Sequence, residues 1–178
     1  MSEQDIIAAE RRWGVIVAVT VGIIFAVITV TSLAMALNPP SHVETIDPNT
    51  LHLGEFAEAN LGTTVGADGA IVTRIVATQF LFEPRCVAVP EGKTVTFRLS
   101  SPDVIHGLIV AGTNINTMVV PGYVSEIHAA LRKAGDYRMP CHEFCGIGHS
   151  EMWAIVRVVP TAQWQPDEHG KVSCAAPG

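Results

Sequence analysis

The hydrophobic and polar positions divide the chain into two parts with different patterns. Residues 14–37 form a run of 24 residues without an ionisable side chain. From residue 71 onward, short segments that are β-branched or alternate between apolar and polar residues recur between glycines and prolines. The first pattern predicts a helix that crosses a bilayer, which takes about 20 apolar residues. The second pattern is typical of short β-strands.

The predicted strands share period-two alternation or enrichment in valine and isoleucine. They lie at 71–76, 86–92, 93–99, 104–110, 123–128, 134–138 and 154–159. Their spacing, with glycine and proline turns between them, predicts an antiparallel sandwich or barrel. The prolines and glycines of residues 38–69 indicate a linker, and the polar composition of residues 161–178 predicts a surface tail.

The charges beside the apolar run indicate its orientation. Arg11 and Arg12 precede it, whereas lysine and arginine are absent from the residues just after it. The positive-inside rule therefore predicts a cytoplasmic N-terminus over residues 1–13, a single transmembrane helix over residues 14–37 in the inner (plasma) membrane, and a periplasmic or extracellular remainder. The residues 34–36 also match a signal-peptide cleavage pattern. The apolar core of such a peptide usually has about 7–15 residues, so the longer run favours a retained anchor.

Composition excludes some classes of protein. The chain of 178 residues has a formal net charge of −6, which argues against a nucleic-acid-binding protein because such a protein needs a basic surface. The four cysteines are too few for a disulfide framework. Without the anchor, the chain still has the length of one ordinary domain with its own hydrophobic core.

Four side chains that bind soft metals lie within twelve residues of one another. They are Cys141, Cys145, His149 and Met152, and His106 is the best candidate for a second histidine. Because the loop that carries the first four joins two predicted strands, it can direct them all to one point. Thiolate, thioether and imidazole groups are the ligands that copper selects.

Several kinds of site compete for these residues. A zinc site would use the cysteines and histidines but has no role for Met152. A mononuclear blue-copper site needs one cysteine, and a redox or structural disulfide leaves His149 and Met152 unexplained. Two thiolates that bridge two copper ions use the whole set, with one histidine on each ion, Met152 as a weak ligand of one and a backbone carbonyl as a ligand of the other.

The pattern C-x-E-x-C-G-x-x-H-x-x-M from Cys141 to Met152, with the upstream segment SPDVIH at residues 101–106, resembles subunit II of haem–copper cytochrome c oxidases. The single anchor makes the chain most similar to the B-family (ba-type) members. The resemblance implies a cupredoxin-like domain over residues 70–160 that holds a binuclear copper centre, CuA. It implies these ligands: the side chains of His106, Cys141, Cys145, His149 and Met152, and the carbonyl of Glu143.

The resemblance also implies partners and a reaction. Electrons would come from cytochrome c or another small periplasmic donor and pass to haem in subunit I. Oxygen would be reduced to water there, coupled to proton translocation. A subunit of a CuA-type nitric oxide reductase would have the same site with another partner, and a membrane-tethered copper carrier is a third alternative from a different class.

Further residues carry weaker expectations. The resemblance suggests Glu10 as the mouth of a proton-input path, and Phe80 and Phe82 as an apolar docking patch for the electron donor. It leaves magnesium open, because the side chain corresponding to Glu143 binds that ion in many A-family oxidases but B-family members often lack it. An oxidising compartment would also allow a disulfide between Cys86 and Cys174.

Overall fold

The computed structural model describes residues 2–34 and 44–174, which form two separate units. The first unit contains the helix α1 (Glu3–Ala34), and the second is a β-domain. Met1, residues 35–43 and residues 175–178 lie outside the described residues. The end of the predicted transmembrane segment, the start of the predicted linker and the end of the predicted tail therefore fall there.

The helix α1 is long and apolar enough to cross a membrane. Its span Glu3–Leu33 has a window of 18 residues with a mean hydropathy of 2.6. The helix begins before the apolar run because Ser2 and Asp5 form a reciprocal cap, in which Ser2 N donates to Asp5 Oδ2 over 2.9 Å and Asp5 N donates to Ser2 Oγ. Within the apolar run, the hydroxyl of Thr20 donates to the carbonyl of Ile16, so this polar group is satisfied inside the helix.

The β-domain contains short strands in the described residues. They are β1 (Gly62–Val65), β2 (Ile71–Thr78), β3 (Leu81–Glu83), β4 (Cys86–Pro90), β5 (Thr94–Ser100), β6 (His106–Ile109), β7 (Asn116–Val119), β8 (Ser125–Ala130), β9 (Gly135–Pro140), β10 (Trp153–Val159) and β11 (Lys171–Val172). One sheet has the order β11-β1-β2-β5-β8 with β3 beside β2, a second has the order β4-β10-β9, and β6 pairs with β7. The architecture is a cupredoxin-like β-sandwich that follows an N-terminal helix.

The strand directions differ in part from the antiparallel arrangement that the sequence predicts. The pairs β2–β5 and β4–β10 are parallel, whereas the other pairs are antiparallel. Alternation of apolar residues specifies which face of a strand is buried, but it does not specify the direction of the neighbouring strand. The mixed pairing therefore could not be read from the periodicity.

The hydrophobic core lies between the two larger sheets. On β5 the side chains of Val95, Phe97 and Leu99 are buried, and on β10 those of Val156 and Val158 are buried, each at alternate positions. Cys141, Cys145 and Met152 belong to this same cluster of buried side chains. The candidate metal ligands are therefore part of the packed core at one end of the sandwich.

Two regions outside the predicted strands also pack on the sandwich. Leu51, Phe56 and Leu61 form a second buried cluster with Val76 and Val124, so residues 44–61 lie against the sheet although they fall in the predicted linker. Strand β11 of the predicted tail pairs with β1. In both regions the apolar residues are few, and they do not recur with a regular period. Their sequences therefore do not indicate this packing.

Candidate metal centre

The loop between β9 and β10 carries most of the candidate ligands. Its two ends are held together because Trp153 pairs with Pro140 across the antiparallel strands, and Cys141 N donates to Met152 O over 2.9 Å. Cys141 also forms a β-bridge with Leu108 of β6. The hairpin thus fixes the first and last ligand of the loop next to the strand that carries His106.

The loop folds back so that its sulfur and nitrogen donors converge. Cys145 Sγ lies 4.0 Å from Cys141 Sγ, 3.6 Å from Met152 Sδ and 3.6 Å from His149 Nδ1. The thiol of Cys141 also lies 3.2 Å from the carbonyl oxygen of Glu143. Both thiols are free and buried, so the structure does not join Cys141 to Cys145 in a disulfide.

His106 brings the second imidazole to the same point. Its side chain is 0% exposed at the start of β6, and one ring nitrogen lies with the two thiol sulfurs in a group whose ligand atoms are all within 4.8 Å of one another. Nε2 of His106 lies 2.9 Å from Asp103 Oδ1. An ionised carboxylate only accepts hydrogen bonds, so Nε2 donates to it, and in the neutral imidazole the lone pair therefore lies on Nδ1.

The lone pair of His106 Nδ1 provides a test of whether the site fits a metal. Among the side-chain nitrogen and oxygen atoms of the described residues, this atom is the buried one without a hydrogen-bond partner. A buried polar atom without a partner costs free energy unless a ligand satisfies it. A neutral imidazole held by a carboxylate is the usual form of a metal-ligating histidine, so the donor set fits a bound metal.

Electrostatics favour a neutral Cys145 thiol and an ionised Asp103 in the metal-free site. Burial, followed by the neighbouring Cys141, raises the pKa of the Cys145 thiol to about 11. Burial also acts to raise the pKa of Asp103, but hydrogen bonds from His106 and from the backbone N–H groups of Gln79 and Val104 outweigh it and lower that pKa. A metal must displace the thiol protons when it binds.

The types of side chain in the cluster distinguish between the zinc and copper sites that the sequence allowed. Met152 is buried, with its sulfur in contact with Cys145 Sγ. A thioether suits copper and is foreign to the cysteine and histidine sets of structural zinc. Two cysteines in one cluster also exceed the single thiolate of a blue-copper site.

Comparison with known proteins gives the family. Residues 71–159 match the sequence model described as cytochrome C oxidase subunit II, periplasmic domain. The chain belongs to the cytochrome c oxidase subunit II family. A protein of Thermus thermophilus named cytochrome c oxidase subunit 2 is 31% identical over 163 residues, which cover 88% of this chain and 95% of that protein.

Further relatives agree with this assignment. A second protein of Thermus thermophilus, also named cytochrome c oxidase subunit 2, is 35% identical over 67% of this chain and 90% of its own length. A chain of a haem–copper terminal oxidase dimer, solved by cryo-electron microscopy, superposes with a TM-score of 0.58 and 25% identity over 85% of this chain and 99% of that chain.

Membership of this family gives the protein its role. It is a membrane-anchored subunit II of cytochrome c oxidase, associated with subunit I in a haem–copper oxidase complex. Electrons enter that enzyme complex through this subunit, and copper is the metal of its cupredoxin-like domain. The alternatives of a nitric oxide reductase subunit and a copper carrier are not favoured by these relatives.

The two phenylalanines that the resemblance suggested as a docking patch differ in their exposure to solvent. The prediction is wrong for Phe82, whose side chain is 0% exposed in the core and therefore cannot contact a partner. Phe80 is half-buried, and its ring covers Gly146 and Gly148 of the metal loop. Phe80 lies in the turn before β3, whereas Phe82 lies within that strand, so only the second ring enters the core. Because residues two apart in one strand share a face, the sequence pattern did not indicate this difference.

Sequence reasoning missed the exposed apolar side chains of the metal loop. Ile147 is 100% exposed and Phe144 is 75% exposed, although Cys141, Cys145 and Met152 of the same loop are buried. The ring of Phe144 lies 5.8 Å from the ring of His149, centroid to centroid. The signal was present in the sequence, since large apolar residues stand between ligand positions where nothing in the ligand pattern requires them.

The remaining candidates lie away from the metal loop. A disulfide joins Cys86, at the start of β4, to Cys174, and their Cα atoms are 5.8 Å apart. It holds the end of the described chain against the sheet, beside the pairing of β11 with β1. Glu10 lies on an exposed part of α1, in the other unit of the chain.

Proposed function

We propose that the metal centre is the binuclear copper centre CuA, which accepts electrons from a soluble donor and delivers them to haem in subunit I. The observation that carries this proposal is the placement of two free, buried thiols 4.0 Å apart between His106 and His149. When bound, two copper ions that share one electron change little in geometry on reduction, which favours rapid electron transfer.

Each residue of the site has a specific part in this proposal. Cys141 and Cys145 would bridge the two ions, while Nδ1 of His106 and Nδ1 of His149 would each bind one of them. Met152 and the carbonyl of Glu143 would complete the set as weak ligands. The lone pair of His106 Nδ1, the burial of Met152 and the contact of the Cys141 thiol with Glu143 O support these roles.

The surface of the metal loop supports a docking site for the electron donor. Ile147 and Phe144 expose large apolar side chains on the loop that carries the candidate ligands, and the ring of Phe144 lies beside the ring of His149. Apolar side chains that are exposed next to a buried redox site favour contact with a protein partner. We infer that cytochrome c, or another small periplasmic donor, binds through these two residues.

The anchor and the charges around it support a topology. Arg11 and Arg12 precede the apolar run, so the N-terminus would lie in the cytoplasm and the copper domain in the periplasm. The disulfide between Cys86 and Cys174 is consistent with an oxidising compartment for that domain. The division into residues 1–13, 14–37, 38–69, 70–160 and 161–178 stays a prediction.

Glu10 remains a candidate for proton input. It precedes the apolar run on α1, on the side that the topology places in the cytoplasm. Glu10→Ala is expected to slow proton-coupled turnover of the assembled oxidase, and Glu3→Ala on the same helix provides the control. Equal turnover of the two variants would refute this role.

The experiment that tests the proposal uses the complex purified through a tag on this chain. We expect two copper ions per copy of this subunit beyond the metals of subunit I, and oxygen consumption that depends on a reduced cytochrome c. A single copper ion per copy would contradict the binuclear centre. Reduction of nitric oxide in place of oxygen would contradict the proposed terminal reaction, and the same metal analysis would show whether magnesium accompanies the copper.

A further inference from the structure

One turn of the sandwich contacts both sides of the metal site. The turn lies between β2 and β3 and contains Gln79 and Phe80. The backbone N–H of Gln79 donates to Asp103 Oδ2 over 2.7 Å, while the other oxygen of Asp103 holds Nε2 of His106 over 2.9 Å. Gln79 is therefore hydrogen-bonded to the carboxylate that orients one of the imidazole ligands.

The side chain of the same residue reaches the other side of the site. Nε2 of Gln79 donates a hydrogen bond to the backbone carbonyl of Cys145. Cys145 is the residue whose sulfur contacts Cys141, His149 and Met152. One glutamine thus connects the central thiol ligand of the loop to the residue that holds His106, through two separate hydrogen bonds.

The neighbouring ring keeps the turn close to the loop. A Cβ atom on Gly148 would lie 2.5 Å from Phe80 Cδ2, and one on Gly146 would lie 2.9 Å from Phe80 Cε1 and 3.0 Å from Gln79 Nε2. Contacts this short leave no room for a side chain at either glycine. The two glycines allow Phe80 to lie on the loop and bring the amide of Gln79 within reach of the Cys145 carbonyl.

We propose that Gln79 is a positioning residue of the copper centre, which holds Cys145 at a fixed distance from His106 and favours the reduced state. The inference rests on the proposed function, because it takes copper as the metal. The amide N–H directs the positive end of its dipole toward the Cys145 backbone, where it stabilises the more negative, reduced site. Gln79 contacts none of the reacting atoms, so it acts through Cys145 and Asp103.

Two substitutions at residue 79 distinguish the effect of the hydrogen bond from the effect of the side chain's shape. Gln79→Ala removes the donor and leaves the backbone N–H that binds Asp103. Gln79→Glu keeps the shape but places an oxygen opposite the carbonyl of Cys145, so two acceptors face each other. Gln165→Ala provides the control, since Gln165 is an exposed glutamine of the C-terminal segment.

The first measurement needs no metal. Amide hydrogen exchange in residues 139–152 of the metal-free full-length chain is expected to be roughly tenfold faster in Gln79→Ala than in the wild type, since one hydrogen bond that holds the loop is lost. Gln79→Glu is expected to exchange at least as fast as Gln79→Ala, and the control at the wild-type rate. Wild-type exchange in Gln79→Glu would show that only the shape of residue 79 matters and would overturn the proposal.

The second measurement uses the copper-loaded full-length chain. At the wild-type midpoint potential, the ratio of reduced to oxidised centre is expected to fall about threefold in Gln79→Ala, which corresponds to about 28 mV for one electron at 59 mV per tenfold change. Copper release to a chelator is expected to accelerate in both variants. An unchanged ratio in Gln79→Ala would overturn the redox part, and an unchanged release rate in both variants would overturn the positioning part.

The two measurements also distinguish this inference from the proposed function. A wild-type chain that binds other than two copper ions would contradict the binuclear centre but would leave the exchange result of the metal-free loop intact. Unaltered exchange in both Gln79 variants, with two copper ions bound by the wild type, would contradict only the role of Gln79.

Discussion

The metal loop and the cluster around Arg98 are both polar regions of the β-domain, but they satisfy their polar groups differently. Arg98 donates to Glu55, Glu44 and Glu126, and Arg74 also donates to Glu55 over 3.0 Å. At the metal site, two thiols are free and His106 Nδ1 is without a partner. The charged groups around Arg98 are paired with one another within the chain, whereas the metal site has donor atoms that remain available to bind a metal.

Because of this difference, we expect substitutions in the two regions to affect different properties of the protein. The cluster around Arg98 attaches residues 44–55 to β2 and β5, because the glutamates of that segment meet arginines on the two strands. Changes there are expected to alter the free energy of unfolding. Changes at the metal loop are expected to alter copper binding and electron transfer, with a smaller effect on the fold of the metal-free chain.

The largest expected effect is the loss of the copper centre in Cys145→Ser. A hydroxyl does not replace a thiolate as a ligand for copper, and Cys145 is the residue in contact with the other sulfur and imidazole donors. Copper analysis of the purified chain is expected to show that the binuclear centre is lost. The double variant Cys86→Ser with Cys174→Ser is the matched control, because it removes two sulfurs that are not candidate ligands and should retain copper.

The next effect concerns the cluster around Arg98. Arg98→Ala leaves the half-buried Glu55 without its main partner, which is expected to lower the free energy of unfolding by about 2 kcal/mol. Denaturant titration of the full-length chain measures this change, and Arg132→Ala, at an exposed arginine, is the control. Equal stability of the two variants would show that the cluster does not hold residues 44–55 on the sheet.

The same cluster has a predicted pH dependence. Burial raises the pKa of Glu55, but the hydrogen bonds and charge of Arg98, with a further contribution from Arg74, outweigh burial and lower that pKa below its usual 4.5. The stabilisation is therefore complete above pH 4.5 and is lost as the pH falls through the lowered pKa. In Arg98→Ala this acid-dependent loss of stability is expected to become smaller.

The metal loop is predicted to respond to pH in a different window. Because burial and Cys141 raise the pKa of Cys145 to about 11, copper must displace a proton from this thiol across the neutral range. Copper affinity is expected to rise about tenfold per pH unit for each thiol proton released. Competition with a chelator between neutral and mildly alkaline pH measures the slope, and an affinity independent of pH would contradict a protonated Cys145 thiol in the metal-free site.

The smallest predicted effect concerns the exposed surface of the loop. Ile147→Asp removes about 1 kcal/mol of apolar burial on docking, so the KM for reduced cytochrome c is expected to rise about fivefold. Leu53→Asp, at another exposed apolar residue of the β-domain, is the control. An unchanged KM in Ile147→Asp would place the docking surface elsewhere on the domain.

The convergence of the candidate ligands in the loop could be predicted from the sequence because their spacing is local. Cys141, Cys145, His149 and Met152 lie in one hairpin loop, so their convergence depends on a few neighbouring residues. His106 was a correct choice for the cluster because it begins a strand beside that loop. The cupredoxin-like fold, which the resemblance implied, and the apolar helix, which the uninterrupted run of residues 14–37 predicted, also agree with the structure.

Long-range contacts explain what the sequence did not predict. Phe80 and Phe82 differ in exposure because the first lies in the turn before β3 and the second lies within that strand, and the start of this short strand is set by its pairing with the distant β2. The packing of Leu51 and Phe56 depends on the position of Val76 in a distant strand. Likewise, Gln79 reaches Cys145 across 66 residues of chain, a contact for which no sequence motif exists.

The proposed function depends most on two thiolates that join two copper ions into one centre. Electron paramagnetic resonance of the oxidised, copper-loaded full-length chain tests this claim directly. We predict hyperfine structure from one unpaired electron shared equally by two copper nuclei, which should disappear in Cys145→Ser. A spectrum in which the electron lies on a single copper nucleus would contradict the account.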